Sequence, residues 1–464
     1  MLVAGTMGGN RMADRQQRIG GAIKWAFSRK QRFLICWWEL AGWSAHDGII
    51  AYGSVRSGKT VGMTIGFVLW AMHRFSGHQF GICGKTIGSV RRNVVTPLKT
   101  YASSIQLQIT ERKAENKLII SGYDSVNEFY LFGGNDESSQ NLIQGITLAG
   151  VYFDEVALQN QAFVNQALAR CSVNGSKYWF NCNPESPAHW FKTEFIDKAK
   201  ARNLIVMHFV MDDNEALSPD IRERYKRSFV GVFYQRYILG EWAMAEGLIY
   251  FGFSDERNMT AMTRKDLFMP DGKFNSSRFS WTAISMDYGT ANPTAMLLIV
   301  YDLQARAFFI ADEFYHDGHG GVQIDDEQKY AALEQLANGI PVQFLIIDPS
   351  ALSLITMIRH RARFNVTPAE NDVVPGISFT QTLVHSGRYK ISRTGCPSLL
   401  KEIKGYVWDA DAQEKGIDQP LKQADHAMDA LRYHAYTLVH RYAGAFGVDA
   451  KTDTDKYRRT TEAR

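Results

Sequence analysis

Apolar runs alternate with amphipathic stretches through most of this chain. The run at 48–52 predicts a strand, and the segment 60–75 behind it a helix. Further strands are expected at 79–83, 118–120, 128–132, 150–153 and 177–181, so residues 19–245 read as an α/β unit with a parallel-type sheet. Within it, 185–245 mixes aromatic and basic residues in a mostly helical pattern and predicts a small helical subdomain. Residues 246–275 lose the period and read as a link. A second α/β pattern follows over 276–443. Strands are expected at 279–287, 295–301, 307–314 and 342–348, and helices at 326–338, 352–361, 398–406 and 424–440. Residues 1–18 are expected to be a mobile start and 444–464 a disordered tail.

Composition changes this picture little. Of 464 residues 45% are hydrophobic and 22% charged, which fits two globular domains and excludes a disordered chain. The net charge of +4 is compatible with nucleic acid without pointing to it. Cys36, Cys83, Cys171, Cys182 and Cys396 are odd in number and scattered, so neither a disulfide framework nor a zinc site is expected. No stretch reads as a signal peptide or membrane span, and a cytoplasmic location is expected.

The sharpest motif is Gly53-Ser54-Val55-Arg56-Ser57-Gly58-Lys59-Thr60, a full phosphate-binding loop between a strand and a helix. Backbone N–H groups and the helix N-terminus suit a polyphosphate. Lys59 would reach the β/γ-phosphates and Thr60 would hold Mg²⁺. An apolar strand ending in Asp154-Glu155 completes the pattern: Asp154 for the Mg²⁺, Glu155 to activate water. Asn183, in the strand-end motif Asn181-Cys182-Asn183-Pro184, is a candidate sensor of the γ-phosphate. Arg56 is a candidate cis arginine finger, and Gln31 a candidate adenine reader.

The second half carries acids at strand ends, Asp287 and Asp348, and Asp425, His426 and Asp429 at the start of the last helix. Asp425 and Asp429, four apart, share a helix face, as do His426 and Asp429. Such an oxygen-rich set suits two Mg²⁺ or Mn²⁺ ions and phosphodiester displacement. Asp302, Asp312 and Glu313 are alternatives, and Asp425 is also a candidate N-cap. Because clustered acids repel, removing one is not expected to cost stability. The order of elements is that of a ribonuclease-H-like fold.

Together with Asn183-Pro184 before His189-Trp190-Phe191, the stretches 211–214 and 233–242, and Asp425 to Tyr433, these motifs resemble the large terminase subunit of tailed bacteriophages, in its PBSX-like branch. The resemblance spans about residues 30 to 440. It implies an N-terminal packaging ATPase using ATP and Mg²⁺, and a C-terminal nuclease whose acids are Asp287, Asp348 and Asp429 with His426. It further implies double-stranded viral DNA, a portal protein, a small terminase subunit and a homo-oligomeric ring as partners, in the host cytoplasm and transiently on the procapsid. Arg91 and Arg92 are candidates for a trans-acting finger. The alternative is a P-loop helicase or repair ATPase fused to a nuclease.

Overall fold

A computed structural model describes residues 27–136, 139, 141, 143–289, 293–316 and 324–448. The expected mobile start, the tail from 449 on and Thr290 lie outside them.

The first sheet has eight strands: β1 (Gly48–Gly53), β2 (Gln79–Gly84), β3 (Gln108–Arg112), β4 (Lys117–Gly122), β5 (Ser125–Gly133), β6 (Gly150–Phe153), β7 (Lys177–Cys182) and β8 (Leu204–Phe209). Their order is β3-β4-β5-β2-β6-β7-β1-β8. From β5 to β8 all neighbours are parallel, while β3 and β4 add an antiparallel edge. Ile49, Ile50 and Ala51 of β1 are fully buried, as a strand covered on both faces requires. The helix Lys59–Arg74 lays Phe67 and Trp70 against Trp179 of β7, with ring centroids 5.2 and 4.8 Å apart.

β8 falls in the segment expected to be mostly helical. Its apolar run is short, and periodicity alone does not separate such a strand from a buried helical turn. Pairing with β1 decides the matter. Gly53 permits the closest approach: a Cβ there would lie 1.9 Å from the Phe209 carbonyl oxygen, which accepts the Ser54 N–H at 2.8 Å.

The second sheet holds β9 (Met259–Thr260), β10 (Phe279–Asp287), β11 (Thr294–Asp302), β12 (Ala307–His316), β13 (Phe344–Ile347), β14 (Val366–Pro368) and β15 (Tyr389–Ser392), in the order β14-β13-β10-β11-β12-β15-β9. β10, β11 and β12 form an antiparallel meander, and β13 lies parallel to β10. Every position of β11 is buried. Its Met296, Leu298 and Val300 pack with Tyr330, Leu333 and Leu354 on one face. Leu297 and Ile299 pack with Ile377, Leu383 and Leu431 on the other.

That second core does not stop at the sheet. Tyr225, Phe229, Phe233 and Ile238 join it, so this aromatic stretch is packing material between the two halves. Within the stretch read as a link, Ile249 and Tyr250 are buried, β9 pairs with β15, and Leu267 enters the core of the second sheet. The tail expected from 444 begins instead as the helix Ala443–Phe446. Phe446 is buried against Trp281, Tyr301 and Phe308, so its apolar area keeps the chain docked. The helix Val373–His385 has no clear signature in the sequence, because Pro375 and Gly376 interrupt its pattern. Gly376 is small because a Cβ would meet the Arg432 side chain at 2.9 Å.

Candidate functional sites at two strand ends

The parallel strands β6, β7 and β1 present their carboxyl ends side by side, where α/β sheets bind ligands. β7 stands between the phosphate loop after β1 and the acidic pair after β6. Asn181 uses that position. Its amide nitrogen lies 3.1 Å from Thr60 Oγ1, 3.0 Å from Asp154 Oδ1 and 2.8 Å from the Tyr152 hydroxyl, while its oxygen accepts the Glu155 N–H at 2.8 Å. Asp154 is buried and also accepts from Thr60 Oγ1 at 3.4 Å and from Asn93 Nδ2 at 3.2 Å. Lys59 donates to the Gly53 and Ser54 carbonyls at 3.0 and 2.7 Å and to Asn183 Oδ1 at 3.3 Å. Glu155 sits at φ +55°, a left-handed conformation that turns the chain out of the sheet.

A cavity of about 590 Å³ opens on this array, lined by Val55 to Thr60, Arg92, Asn93, Tyr101, Glu155 and Asn183. Gly58, at φ +82°, turns the loop into its helix. The Arg56 Nε donates to the Tyr225 hydroxyl at 2.8 Å. Gln31 sits at the back of the loop: its amide donates to the Gly58 carbonyl at 3.3 Å, and its oxygen caps its own helix through Ser28 N–H. The two finger candidates separate. Arg91 is held at 3.0 Å by Glu111 and at 2.9 Å by Asn116 of its own chain, whereas Arg92 faces the cavity.

The second site lies at the ends of β10 and β13. Met286 pairs with Ile347, so Asp287 and Asp348 leave adjacent parallel strands at the same level. The Tyr433 hydroxyl bridges them, 2.9 Å from Asp348 Oδ2 and 3.4 Å from Asp287 Oδ1. His426 Nδ1 is 2.8 Å from the other Asp287 oxygen. Burial, with the charges of Asp429 and Asp348, pushes the Asp287 pKa up against the pull of His426. Burial opposes the charge on His426, but Asp287, Asp425 and Glu402 outweigh it and hold its pKa above the usual imidazole value. Asp348 is desolvated too, yet donors from Ser350, Tyr433 and Asn371 bring its pKa down.

Asp429 is differently placed. Arg432, nearly buried, donates to its Oδ1 at 2.9 and 3.2 Å, and Lys422 stands 3.5 Å from its Oδ2. Lys422 is also 3.1 Å from Asp425. Among the described residues, no three His, Cys, Asp or Glu groups are gathered to cage one ion. Asp425 makes no capping bond. Glu402 caps the helix instead, accepting the Ala427 and Met428 N–H groups at 2.7 and 3.1 Å. The alternatives are engaged elsewhere: Asp302 with Arg278, Asp312 with Arg264, and Glu313 at the N-terminus of the helix Pro397–Gly405.

Sequence reasoning missed Asn181 as the hub, along with Tyr152, Asn93, Tyr433, Arg432 and Lys422. Period two was the available signal for Tyr152, which shares a strand face with Asp154. Nothing in the sequence paired Arg432 with Asp429 beyond their helical spacing of three.

These features define a two-centre enzyme class: a P-loop nucleotide site and an acidic ribonuclease-H-like site in one chain. Residues 50–256 match the family model described as the N-terminal part of the T4likevirus-type terminase large subunit, and 284–436 match the terminase RNaseH-like domain. The large terminase of a thermophilic bacteriophage is 44% identical over 89% of this chain and 99% of its own, with a TM-score of 0.81. The same phage protein has been solved with ADP, at 43% identity and TM-score 0.80 over 89% and 99% of the two chains. The terminase large subunit of Escherichia phage T5 is 23% identical over 297 residues, 62% of this chain. That match spans 65% of the T5 protein's length. The chain belongs to the large terminase subunits. The comparisons do not favour the helicase alternative. Among the described residues, no helix is long and apolar enough to cross a membrane.

Proposed function

We propose that this chain is the motor subunit that hydrolyses ATP to drive double-stranded viral DNA into a procapsid and cuts the concatemer with a metal-dependent endonuclease. The observation that carries the reading is the Asn181 hub, which ties Thr60, Asp154 and Glu155 together beside Lys59. The Asn181 amide is a neutral donor that fixes the carboxylate in place. This suits a site that must accept a polyphosphate and one Mg²⁺.

In this reading the amides of 53–60 and Lys59 cradle the phosphates, Thr60 and Asp154 hold Mg²⁺, and Glu155 takes the proton of the attacking water. Asn183 reports the γ-phosphate, because its oxygen already touches the Lys59 amino group. Arg56 acts in cis once Tyr225 releases it, and Gln31 supports the loop near the adenine.

At the second centre the donors are carboxylate oxygens, a fit for Mg²⁺ or Mn²⁺. Asp287, Asp348 and Asp429 would hold the ions, with Asp425 beside them, and the ions would supply charge neutralisation for phosphodiester cleavage. His426 orients Asp287 and Tyr433 orients Asp348. The phosphate-loop sheet and the second sheet would carry the two working units, with the stretch 246–275 packed onto the second rather than free between them. The partners are the portal, a small terminase subunit and further copies in a ring, in the bacterial cytoplasm and on the procapsid.

The test is incubation of the purified chain with plasmid DNA, once with ATP and Mg²⁺ and once with Mn²⁺ alone. Phosphate release in the first and nicked or linear DNA in the second are expected. Neither activity at high protein concentration would refute the reading.

A further inference from the structure

The two centres are joined by one buried arginine. Arg236 is fully buried. Its Nε donates to the Ala243 carbonyl at 2.8 Å, and its guanidinium forks onto the Asp418 carboxylate, with Nη2 3.2 Å from Oδ1. Its Nη1 lies 3.4 Å from Glu185. Burial, with the nearby Asp418, pushes Glu185 up to about 7 against the pull of Arg236.

Each neighbour leads to one centre. Glu185 follows Asn183 and Pro184, and Asn183 accepts from Lys59. Tyr237, next to Arg236, accepts the Val55 N–H of the phosphate loop at 2.9 Å through its carbonyl. On the other side, Asp418 lies four residues before Lys422, whose amino group stands against Asp425 and Asp429. The contact between the halves is tight there as well: a Cβ on Gly416, at φ +75°, would meet the Ala188 carbonyl at 2.6 Å.

One partner in this chain of contacts must change when nucleotide binds. Lys59 donates to carbonyls of its own loop and to Asn183. A triphosphate draws that ammonium to its own oxygens and so competes for the bond to Asn183. A shift of Asn183 would be felt at Glu185, two residues on, and Arg236 ties Glu185 to Asp418 in the segment carrying Lys422.

We propose that Arg236 is a positioning residue shared by both centres, through which nucleotide occupancy sets the placement of Lys422 beside Asp429 and hence the cutting rate. This rests on the ATPase–nuclease reading above. By linkage, a nuclease-side ligand favouring one arrangement must alter nucleotide affinity by the same factor.

The experiment uses the full chain with ATPγS as the probe. Calorimetry first establishes that ATPγS binds. Hydrogen exchange of residues 418–425 and Mn²⁺-dependent plasmid cleavage are then compared with and without saturating ATPγS. In the unaltered chain, exchange of 418–425 is expected to change and cleavage to shift by about fivefold or more. In Asp418→Asn both effects should vanish, with ATPγS affinity and nucleotide-free cleavage within about threefold of the unaltered chain. Arg236→Lys keeps the charge but loses the fork, and should uncouple in the same way. Should either variant fail to fold, Asp418→Glu keeps the charge but displaces the carboxylate from the fork, and is expected to reduce the effect of ATPγS on both readouts. Coupling that persists in a folded Asp418→Asn, or an unaltered chain whose exchange and cleavage ignore bound ATPγS, would overturn the proposal. Absence of ATPγS binding would instead strike the ATPase reading itself.

Discussion

The two centres both sit at strand ends, yet their carboxylates are held by different groups. Around Asp154 four neutral groups converge: Asn181, Asn93, Tyr152 and Thr60. Around Asp287, Asp348 and Asp429 the partners include His426, Lys422 and Arg432. A nucleotide brings its own charge and its own cation, so a site for it works best when preassembled from dipoles. A site for bare divalent ions gathers anions before the ions arrive, and those anions repel unless protein cations stand in. The raised pKa of Asp287 records that repulsion together with burial.

The largest effects should separate the centres completely. Glu155→Gln is expected to lower ATP turnover by about 10²–10⁴-fold while nucleotide binding and Mn²⁺-dependent cutting persist. Asp287→Ala should do the reverse, lowering cutting by a similar factor and sparing the ATPase. Phosphate-release and plasmid assays on both variants check this. Loss of both activities in either variant would erase the division of labour.

Stability should distinguish acids within the second centre. Asp429→Ala strands the nearly buried Arg432 and is expected to cost about 3–5 kcal/mol in urea unfolding. Asp287→Asn removes an acid that burial disfavours, and should cost little or raise the melting temperature. This replaces the expectation that any of the acids could be removed freely. Equal losses from the two would show that Asp429 is not compensated as the geometry indicates.

At the first centre, Asn181→Ala removes the acceptor of the Glu155 N–H and a donor to Asp154. A loss of about 1–3 kcal/mol is expected, with turnover reduced at least tenfold. Unfolding and phosphate release on the same sample test both halves of that statement.

The most gradual effect is a pH dependence beside the nucleotide site. Burial raises Glu185 to about 7 from its ordinary 4.5, so the folded chain keeps a proton that the unfolded chain gives up. Stability from this group is present below about pH 4.5 and is lost as pH rises through 7, with a slope of at most about 1.4 kcal/mol per pH unit. Glu185→Gln should therefore gain on the unaltered chain between pH 5 and about 7.5. His189 acts with the opposite sign: burial lowers it to about 4 from 6.5, so its contribution is lost as pH falls through that window. A stability difference between Glu185→Gln and the unaltered chain that does not vary with pH would mean Glu185 ionises normally despite its burial beside Arg236.

Local chemistry determined the parts of this protein that one segment can specify alone. The loop 53–60 needs only its glycines, Lys59 and a following helix, so its residues announced a phosphate site. The acids Asp154, Asp287 and Asp348 could be singled out as candidates because each ends an apolar run, and a strand end is where a buried run meets water. Tertiary structure decided what depends on neighbours distant in sequence. Whether residues 204–209 form a strand rested on β1 offering an edge to pair with. Whether Asn181 or Asn183 is the hub rested on β7 lying between β1 and β6. That Asp429 is bound by Arg432 and Lys422, and that Glu402 caps its helix, depended on how helices stack on the second sheet. A side chain's partners are set by packing across the core, and one chain's pattern of apolar and polar residues carries the period of each element but not which element it will face.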